Sequence, residues 1–172
     1  PMEPRSGIAE YDAARDTYKL TCSAQGLHGI RGPLAKTILK IPEENLEIVA
    51  PDVGGGFGLK NFIYPEWVLL LWAARKLGRP IKWTGDRGEE FAAATQGRGI
   101  RAQARLALDA DGKFLALDAA MVADLGAYLS GASPAASTRA ALTAIGGGYA
   151  VPAIYTESRG VFTNTAPVDA YR

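Results

Sequence analysis

The segment Ala50-Pro51-Asp52-Val53-Gly54-Gly55-Gly56-Phe57-Gly58-Leu59-Lys60 places four glycines within five positions, directly after a short apolar run. Glycine adopts positive φ at no steric cost and lets another group come close to the backbone. A strand that ends in such a glycine loop (residues 54–58), with a helix shortly after, points several N–H groups toward one spot, as phosphate-binding sites do. The segment therefore predicts a strand, a loop and a helix, with the loop either cradling a ligand or serving a purely structural purpose.

The familiar phosphate-binding motifs do not match the glycine loop. The dinucleotide pattern Gly-x-Gly-x-x-Gly requires glycine where Leu59 stands, and a P-loop requires Gly-Lys-Ser/Thr where the chain has Leu59-Lys60-Asn61. Phe57 interrupts the glycines, so it either anchors the loop in the core or forms the wall of a pocket. Core burial is the more common role of phenylalanine and is the favoured expectation.

Charge and composition exclude several classes of function. Nineteen basic residues face 18 acidic ones, for a net charge of +1, which gives no support to binding of nucleic acid or an anionic membrane. Cys22 and His28 are the only cysteine and histidine, so no internal disulfide and no protein-ligated transition metal is expected, and a reducing, cytoplasmic location fits. No apolar run reaches the roughly 18 residues of a membrane span.

Hydrophobic periodicity predicts an α+β fold, with a mixed sheet, a long antiparallel hairpin and packed helices. The hairpin turns at Asp109-Ala110-Asp111-Gly112. The helix at 65–77 is apolar nearly all round and is expected to lie buried between layers. The predicted strands cover residues 18–24, 46–50, 80–84, 100–108, 114–123 and 154–163, and the predicted helices cover 29–40, 65–77, 89–95 and 135–145.

Other side chains with chemical potential have alternative interpretations. The amide of Gln25 can donate to an oxo or hydroxyl group, although a surface or turn role is the more common one. His28 is either a general base or, as favoured here, a hydrogen-bonded structural residue. Glu89 and Glu90 are either paired carboxylates for acid–base work or, the favoured interpretation, negative charges at a helix N-terminus. No Gly-x-Ser-x-Gly elbow indicates a hydrolase.

Taken in order, several segments resemble the large subunit of the molybdenum hydroxylases, the group of xanthine dehydrogenase, aldehyde oxidase and aerobic carbon monoxide dehydrogenase. The segments are 1–5 (PMEPR), 23–31 (SAQGLHGIR), 50–60 (APDVGGGFGLK), 64–66 (YPE), 82–87 (KWTGDR), 124–128 (DLGAY) and 163–172 (TNTAPVDAYR). An ordered set along the whole chain is far more specific than one glycine loop. The resemblance implies a molybdopterin-binding domain of the xanthine dehydrogenase type, with residues 1–172 a single domain fragment of a longer subunit.

The resemblance also implies a set of cofactor-binding residues, namely Gln25, Gly55, Gly56, Phe57, Gly58 and Arg172. Gln25 resembles the family glutamine that hydrogen-bonds an oxo ligand of molybdenum, which implies a catalytic role. Arg172 resembles the arginine of the next cofactor-facing loop. A dithiolene on the pterin carries the metal in this family, so no protein ligand to a metal is implied. The implied cofactor is molybdopterin, as its cytosine dinucleotide, in the full-length protein and absent from this chain alone.

The implied activity is hydroxylation of an aldehyde or heterocycle, or oxidation of carbon monoxide, with electrons leaving through iron–sulfur and FAD subunits or domains. The family's catalytic glutamate lies outside residues 1–172, so the chain alone is expected to be inactive. Departures from the family at Ala24, Leu59 and Asn61 bear on the substrate more than on cofactor binding. Two alternatives stay open on the residues alone: a nucleotide- or phosphate-binding module using residues 54–58, or a non-catalytic assembly domain exposing the 65–77 helix.

Overall fold

The computed structural model describes residues 1–131 and 134–169, which form two compact α+β units. The first unit is Pro1–Ala94 and the second begins at Thr95. The predicted α+β class is confirmed. The expectation that residues 1–172 make a single domain stays a prediction.

The first unit consists of a four-stranded sheet and helices. Its elements are strands β1 (Ser6–Asp12), β2 (Thr17–Cys22), β3 (Leu46–Val49) and β4 (Ile81–Thr84), and helices α1 (Leu27–Pro33), α2 (Pro65–Leu77) and α3 (Arg87–Ala93). The strand order is β3-β2-β1-β4. β1 pairs antiparallel with β2 and β4, and β2 pairs parallel with β3. Parallel pairing of β2 and β3 brings the start of α1 and the glycine loop, which follow these strands, to the same edge of the sheet.

Strand β1 lies in the interior of this sheet and was not predicted. Its sequence, SGIAEYD, lacks the run of β-branched and aromatic residues that marks a strand. Its buried positions include Gly7, where an added Cβ would lie 3.0 Å from the Leu70 side chain and 3.3 Å from Trp67. The strand is therefore specified by its two neighbours and by close packing of α2, which a local pattern does not reveal.

Helix α2 begins and ends as predicted, at Pro65 and Leu77, with Gly78 in the left-handed conformation after it. The prediction that α2 is buried on all sides was wrong. The inner face, Trp67, Leu70, Leu71 and Ala74, is buried and packs mainly on β1. The outer face carries Leu69, 60% exposed, and Trp72, 55% exposed. Within the described structure, α2 therefore covers one face of the sheet.

The predicted 29–40 helix forms with a change of geometry. α1 starts at Leu27 and continues into a π-helical turn, Leu34–Leu39, which ends at Lys40 with φ of 56°. Ile30 and Leu34 are buried as the periodicity requires, whereas Ile38 is 42% exposed. The wider π turn rotates later residues off the core-facing stripe.

A buried arginine joins the chain's first residues to two helices. The Arg5 side chain is 0% exposed, and its Nε lies 2.8 Å from Glu90 Oε1 of α3. Its Nη1 and Nη2 donate to the two oxygens of Glu66, at the start of α2, over 3.2 and 3.3 Å. The guanidinium also lies 3.8 Å from the ring centroid of Tyr64. This network fixes the N-terminal segment to the starts of α2 and α3.

The second unit contains a three-stranded sheet and one short helix. Its elements are β5 (Ile100–Leu108), β6 (Phe114–Asp124), α4 (Arg139–Ala144) and β7 (Ala153–Val161). β5 and β6 form the predicted hairpin, and Asp109 Oδ1 accepts turn N–H groups from Asp111 and Lys113. β6 pairs parallel with β7, and α4 is shorter than the predicted 135–145. Among the described residues, no helix is long and apolar enough to cross a membrane.

Candidate functional site

The glycine loop leaves β3 and runs into a 3-10 turn at Leu59–Asn61. Three of its residues have positive φ: Gly55 at 94°, Phe57 at 54° and Gly58 at 84°. Phenylalanine rarely adopts this conformation, which costs on the order of 1–3 kcal/mol when tertiary structure imposes it. The loop is thus a tightly curled segment in which even the non-glycine residue takes a glycine-like geometry.

Gln25, predicted from another part of the sequence, contacts this loop directly. Its Oε1 accepts the N–H of Gly58 at 2.8 Å, across 33 positions of sequence. The backbone N–H of Gln25 donates to the backbone carbonyl oxygen of Lys60 at 2.9 Å. A Cβ added at Gly56 would overlap the Gln25 amide, so the loop can lie this close only with glycine there. The structure therefore brings the predicted amide and the predicted loop together.

Several N–H groups of the loop have no acceptor within the described part of the chain. Gly54 donates to Glu3 Oε2 at 2.8 Å and Gly58 donates to Gln25. The N–H groups of the three residues between them, 55 to 57, make no hydrogen bond with any described residue. The NH₂ group of Gln25 likewise makes no hydrogen bond with any described residue, whereas its Oε1 is engaged. Free donors on successive residues of one loop can bind an oxygen-rich or anionic group.

The side chain of Phe57 is 67% exposed, so the favoured expectation of a core anchor was wrong. Its ring lies over Gly55, where an added Cβ would meet the ring at 2.8 Å. The alternative, that Phe57 forms the wall of a pocket, stays a prediction; an exposed ring can offer an apolar surface to a ligand.

Two residues that sequence reasoning missed hold the ends of the loop. Lys60 is 0% exposed, and its Nζ lies 2.5 Å from Oε2 of Glu3. Burial raises the pKa of Glu3, but the hydrogen bonds from Lys60 and from the Gly54 N–H outweigh it and set the pKa below its usual value. The only sequence signal for this pair is its place in the motifs at 1–5 and 50–60.

The remaining candidates take structural or surface positions. Glu89 and Asp86 form a capping box at the start of α3, and Glu90 pairs with Arg5, so the structural interpretation of these carboxylates is confirmed. The side chain of His28 is exposed and makes no hydrogen bond with any residue of the described ranges, so the expectation of a hydrogen-bonded structural histidine was wrong. Arg172 lies outside the described residues.

Protein side chains offer no metal centre in the described ranges, where no group of three or more His, Cys, Asp and Glu could hold an ion. Burial raises the pKa of Cys22 to about 12, so its thiol is protonated at neutral pH.

The glycine loop and the Gln25 amide together make a candidate ligand site of backbone and side-chain amides. Comparison with known proteins gives the family: the model for the molybdopterin cofactor-binding domain matches residues 1–172. The chain belongs to this family, and its resemblance to molybdenum hydroxylase large subunits is confirmed.

The relatives are subunits of molybdenum-dependent oxidoreductases. The 6-hydroxypseudooxynicotine dehydrogenase complex subunit gamma of Paenarthrobacter nicotinovorans is 40% identical over 100% of this chain and 21% of its own length. The carbon monoxide dehydrogenase large chain of Hydrogenophaga pseudoflava is 35% identical over 97% of this chain and 21% of its own. Quinoline 2-oxidoreductase from Pseudomonas putida 86 has a crystal structure that matches with a TM-score of 0.93 and 38% identity, over 100% of this chain and 22% of that one. The chain thus spans about a fifth of the length of each of these three relatives.

Proposed function

We propose that this chain forms part of the large subunit of a molybdenum hydroxylase, in which the glycine loop and Gln25 hold the molybdopterin. The observation that carries the proposal is the set of free donors: the N–H groups of Gly55, Gly56 and Phe57 beside the Gln25 amide. Membership of the molybdopterin-binding family supports it independently.

The chemistry of this donor set fits the proposed cofactor. Molybdopterin brings its own metal on a dithiolene and presents oxygen atoms, so it requires hydrogen-bond donors from the protein and no metal ligands. When bound, the cofactor supplies two-electron oxidation chemistry with water as the oxygen source. Gln25, Gly55, Gly56, Phe57 and Gly58 would hold it. The family resemblance adds Arg172 to this set.

Gln25 is the residue to which we assign a catalytic role. Gly58 engages its Oε1 and so fixes the orientation of the amide, which leaves both N–H bonds of the NH₂ group available for an oxo or hydroxyl group. Donors that are already in place when charge develops need no reorganisation, which is the main source of electrostatic catalysis. Gln25 would therefore position an oxygen atom of the cofactor and stabilise negative charge on it.

Finer features of the parent enzyme are part of the same proposal. They are the cytosine dinucleotide form of the cofactor, iron–sulfur and FAD partners that carry electrons away, a cytoplasmic location, and an aldehyde, a heterocycle or carbon monoxide as substrate. The names of the relatives, which include a quinoline oxidoreductase and a carbon monoxide dehydrogenase, support this range of substrates.

The first prediction concerns Gln25→Ala in the full-length protein. Turnover per bound molybdenum should fall by about 10²-fold, as it does when one preorganised donor is removed from an active site. Oxidation of a panel of aldehydes, N-heterocycles and carbon monoxide, coupled to a dye, measures it. Gln103→Ala is the matched control, because Gln103 is an exposed residue of β5. Equal turnover in the Gln25 variant and the control would remove the role assigned to Gln25.

A titration of the 172-residue chain with ATP, NAD and CTP tests the alternative of a nucleotide-binding module. We expect weak binding or none, because the chain covers only about a fifth of its relatives' length and the rest of the pocket belongs to the longer protein. Micromolar binding that Gly56→Ala abolishes would favour the nucleotide-binding module instead.

A further inference from the structure

The start of the glycine loop and the turn that follows the loop both bind a single carboxylate oxygen. Oε2 of Glu3 accepts the N–H of Gly54 at 2.8 Å and the ammonium of Lys60 at 2.5 Å. Glu3 lies directly against the start of the loop, because a Cβ added at Gly54 would come within 2.6 Å of the Glu3 Cβ. The side chain of Glu3, from the N-terminal segment, therefore links the start of the glycine loop to Lys60 in the turn after it.

The burial of Lys60 gives this contact its importance. The Lys60 side chain is 0% exposed, whereas that of Glu3 is 34% exposed. An ammonium group out of water is strongly unfavourable unless an opposite charge compensates it. Glu3 is its only hydrogen-bond acceptor among the described residues. Since a leucine or methionine would fill the same volume without that requirement, packing alone does not account for a lysine here.

Lys60 is also connected to both parts of the candidate site through its backbone. Its N–H donates to the carbonyl oxygen of Gly56 at 3.4 Å, and its carbonyl oxygen accepts the N–H of Gln25 at 2.9 Å. A displacement of Lys60 would therefore move the loop and the Gln25 segment together.

We propose that Glu3 and Lys60 form a clamp that sets the shape of the glycine loop before any ligand arrives. The purpose of the clamp rests on the function proposed above. A loop that already has its bound shape, with free N–H groups, loses little conformational entropy when the cofactor binds. Glu3 and Lys60 are positioning residues, because their polar groups face each other and the loop ends. The clamp acts on Gly55, Gly56 and Phe57, the donors between its two ends.

Backbone ¹⁵N relaxation of the 172-residue chain, without cofactor, tests the clamp. In the wild type we expect order parameters near ~0.85 at residues 54–58, the value of rigid backbone, and in Lys60→Met values below ~0.6. Order parameters in β1 to β4 should stay unchanged. Lys36→Met is the matched control, because Lys36 makes an ion pair of 2.7 Å with Glu43 but is 66% exposed and belongs to the π-helical turn Leu34–Leu39.

The double variant Glu3→Gln with Lys60→Met removes both charges, so it tests the clamp even if either single change prevents folding. We expect the same loosening of residues 54–58 in it. Unchanged order parameters in the loop of a folded variant would overturn the clamp. An equal fall of the order parameters in strands β1 to β4 would also overturn it, because Glu3 and Lys60 would then stabilise the whole first unit and not the loop in particular. A failure of the clamp appears in these cofactor-free spectra, whereas a failure of the proposed function appears in the turnover of Gln25→Ala.

Discussion

Gly56 shows how closely single residues of the site are packed. Its Cα lies so near the Gln25 amide that a methyl group cannot enter without displacing that side chain. Its φ is not positive, so space rather than backbone conformation requires glycine at this position. Gly55 and Gly58 differ, because their positive φ values also disfavour any side chain.

The residue-scale prediction is therefore Gly56→Ala. The added methyl group should break the hydrogen bond from Gly58 to Gln25 and destabilise the chain by ~1–3 kcal/mol, the usual cost of overpacking. The Gly58 amide resonance and urea unfolding measure the two effects. Gly29→Ala is the control, since a Cβ at Gly29 meets nothing within 4 Å. An unshifted Gly58 resonance in Gly56→Ala would show that this close contact does not exist in solution.

At the scale of elements, α2 links the core of the first unit to the site. Its inner face covers β1, and the residue before its first turn, Tyr64, donates its hydroxyl to the carbonyl oxygen of Leu59 at 2.8 Å. Glu66 in its first turn binds Arg5, two residues from Glu3 of the clamp. Packing of this helix therefore supports the place where the glycine loop ends.

The element-scale prediction compares two leucines of α2. Leu71→Ala should lower the free energy of unfolding by ~2–5 kcal/mol, because Leu71 is fully buried and its removal leaves a cavity. Leu69→Ala should change it by less than about 0.5 kcal/mol, because Leu69 is mostly exposed. Urea unfolding of both variants measures the difference. Equal losses would mean that the outer face of α2 is buried in solution, by self-association or by another contact.

On the scale of the whole molecule, carboxylates in both units have lowered pKa values. The hydrogen bond from Lys36 lowers the pKa of Glu43, and in the second unit the hydroxyl of Thr163 and then the N–H of Gly126 lower the pKa of Asp124. Together with Glu3, these groups bind protons more weakly in the folded chain than in the unfolded one. Their contribution to stability is present above the unfolded pKa values of about 4 and is lost as the pH falls through the folded values.

The whole-molecule prediction is a loss of stability in acid. The free energy of unfolding should change little between pH 7 and about 5 and then fall toward pH 3, because the unfolded chain binds more protons there. Urea unfolding across this range measures it. Asp124→Asn should flatten the dependence, because asparagine keeps an oxygen that can accept from Gly126 and Thr163 but binds no proton in this pH range. Equal stability of the wild type at pH 3 and pH 7 would contradict the prediction.

Local patterns predicted most of the elements and part of the site. The boundaries of α2 follow from Pro65 and Gly78, and the β5–β6 hairpin follows from alternation and its aspartate turn, because these signals lie within a few residues of each other. Burial was predicted less well. The outer face of α2 and the ring of Phe57 are apolar but exposed. An apolar side chain favours burial, but whether it is buried depends on which other elements pack against it.

By itself, the chain's sequence determined the α+β class, the family, the glycine loop and the choice of Gln25. All four depend on residue types at fixed spacings. The conformational freedom of glycine, for example, is a property of the residue itself at any position. Only the tertiary structure decided that Gln25 holds Gly58 and that Glu3 closes the loop on Lys60, contacts across 33 and 57 positions of sequence. The pairing of β1, β2 and β3 brings those segments to one edge of a sheet, and no local pattern encodes which distant partners meet there.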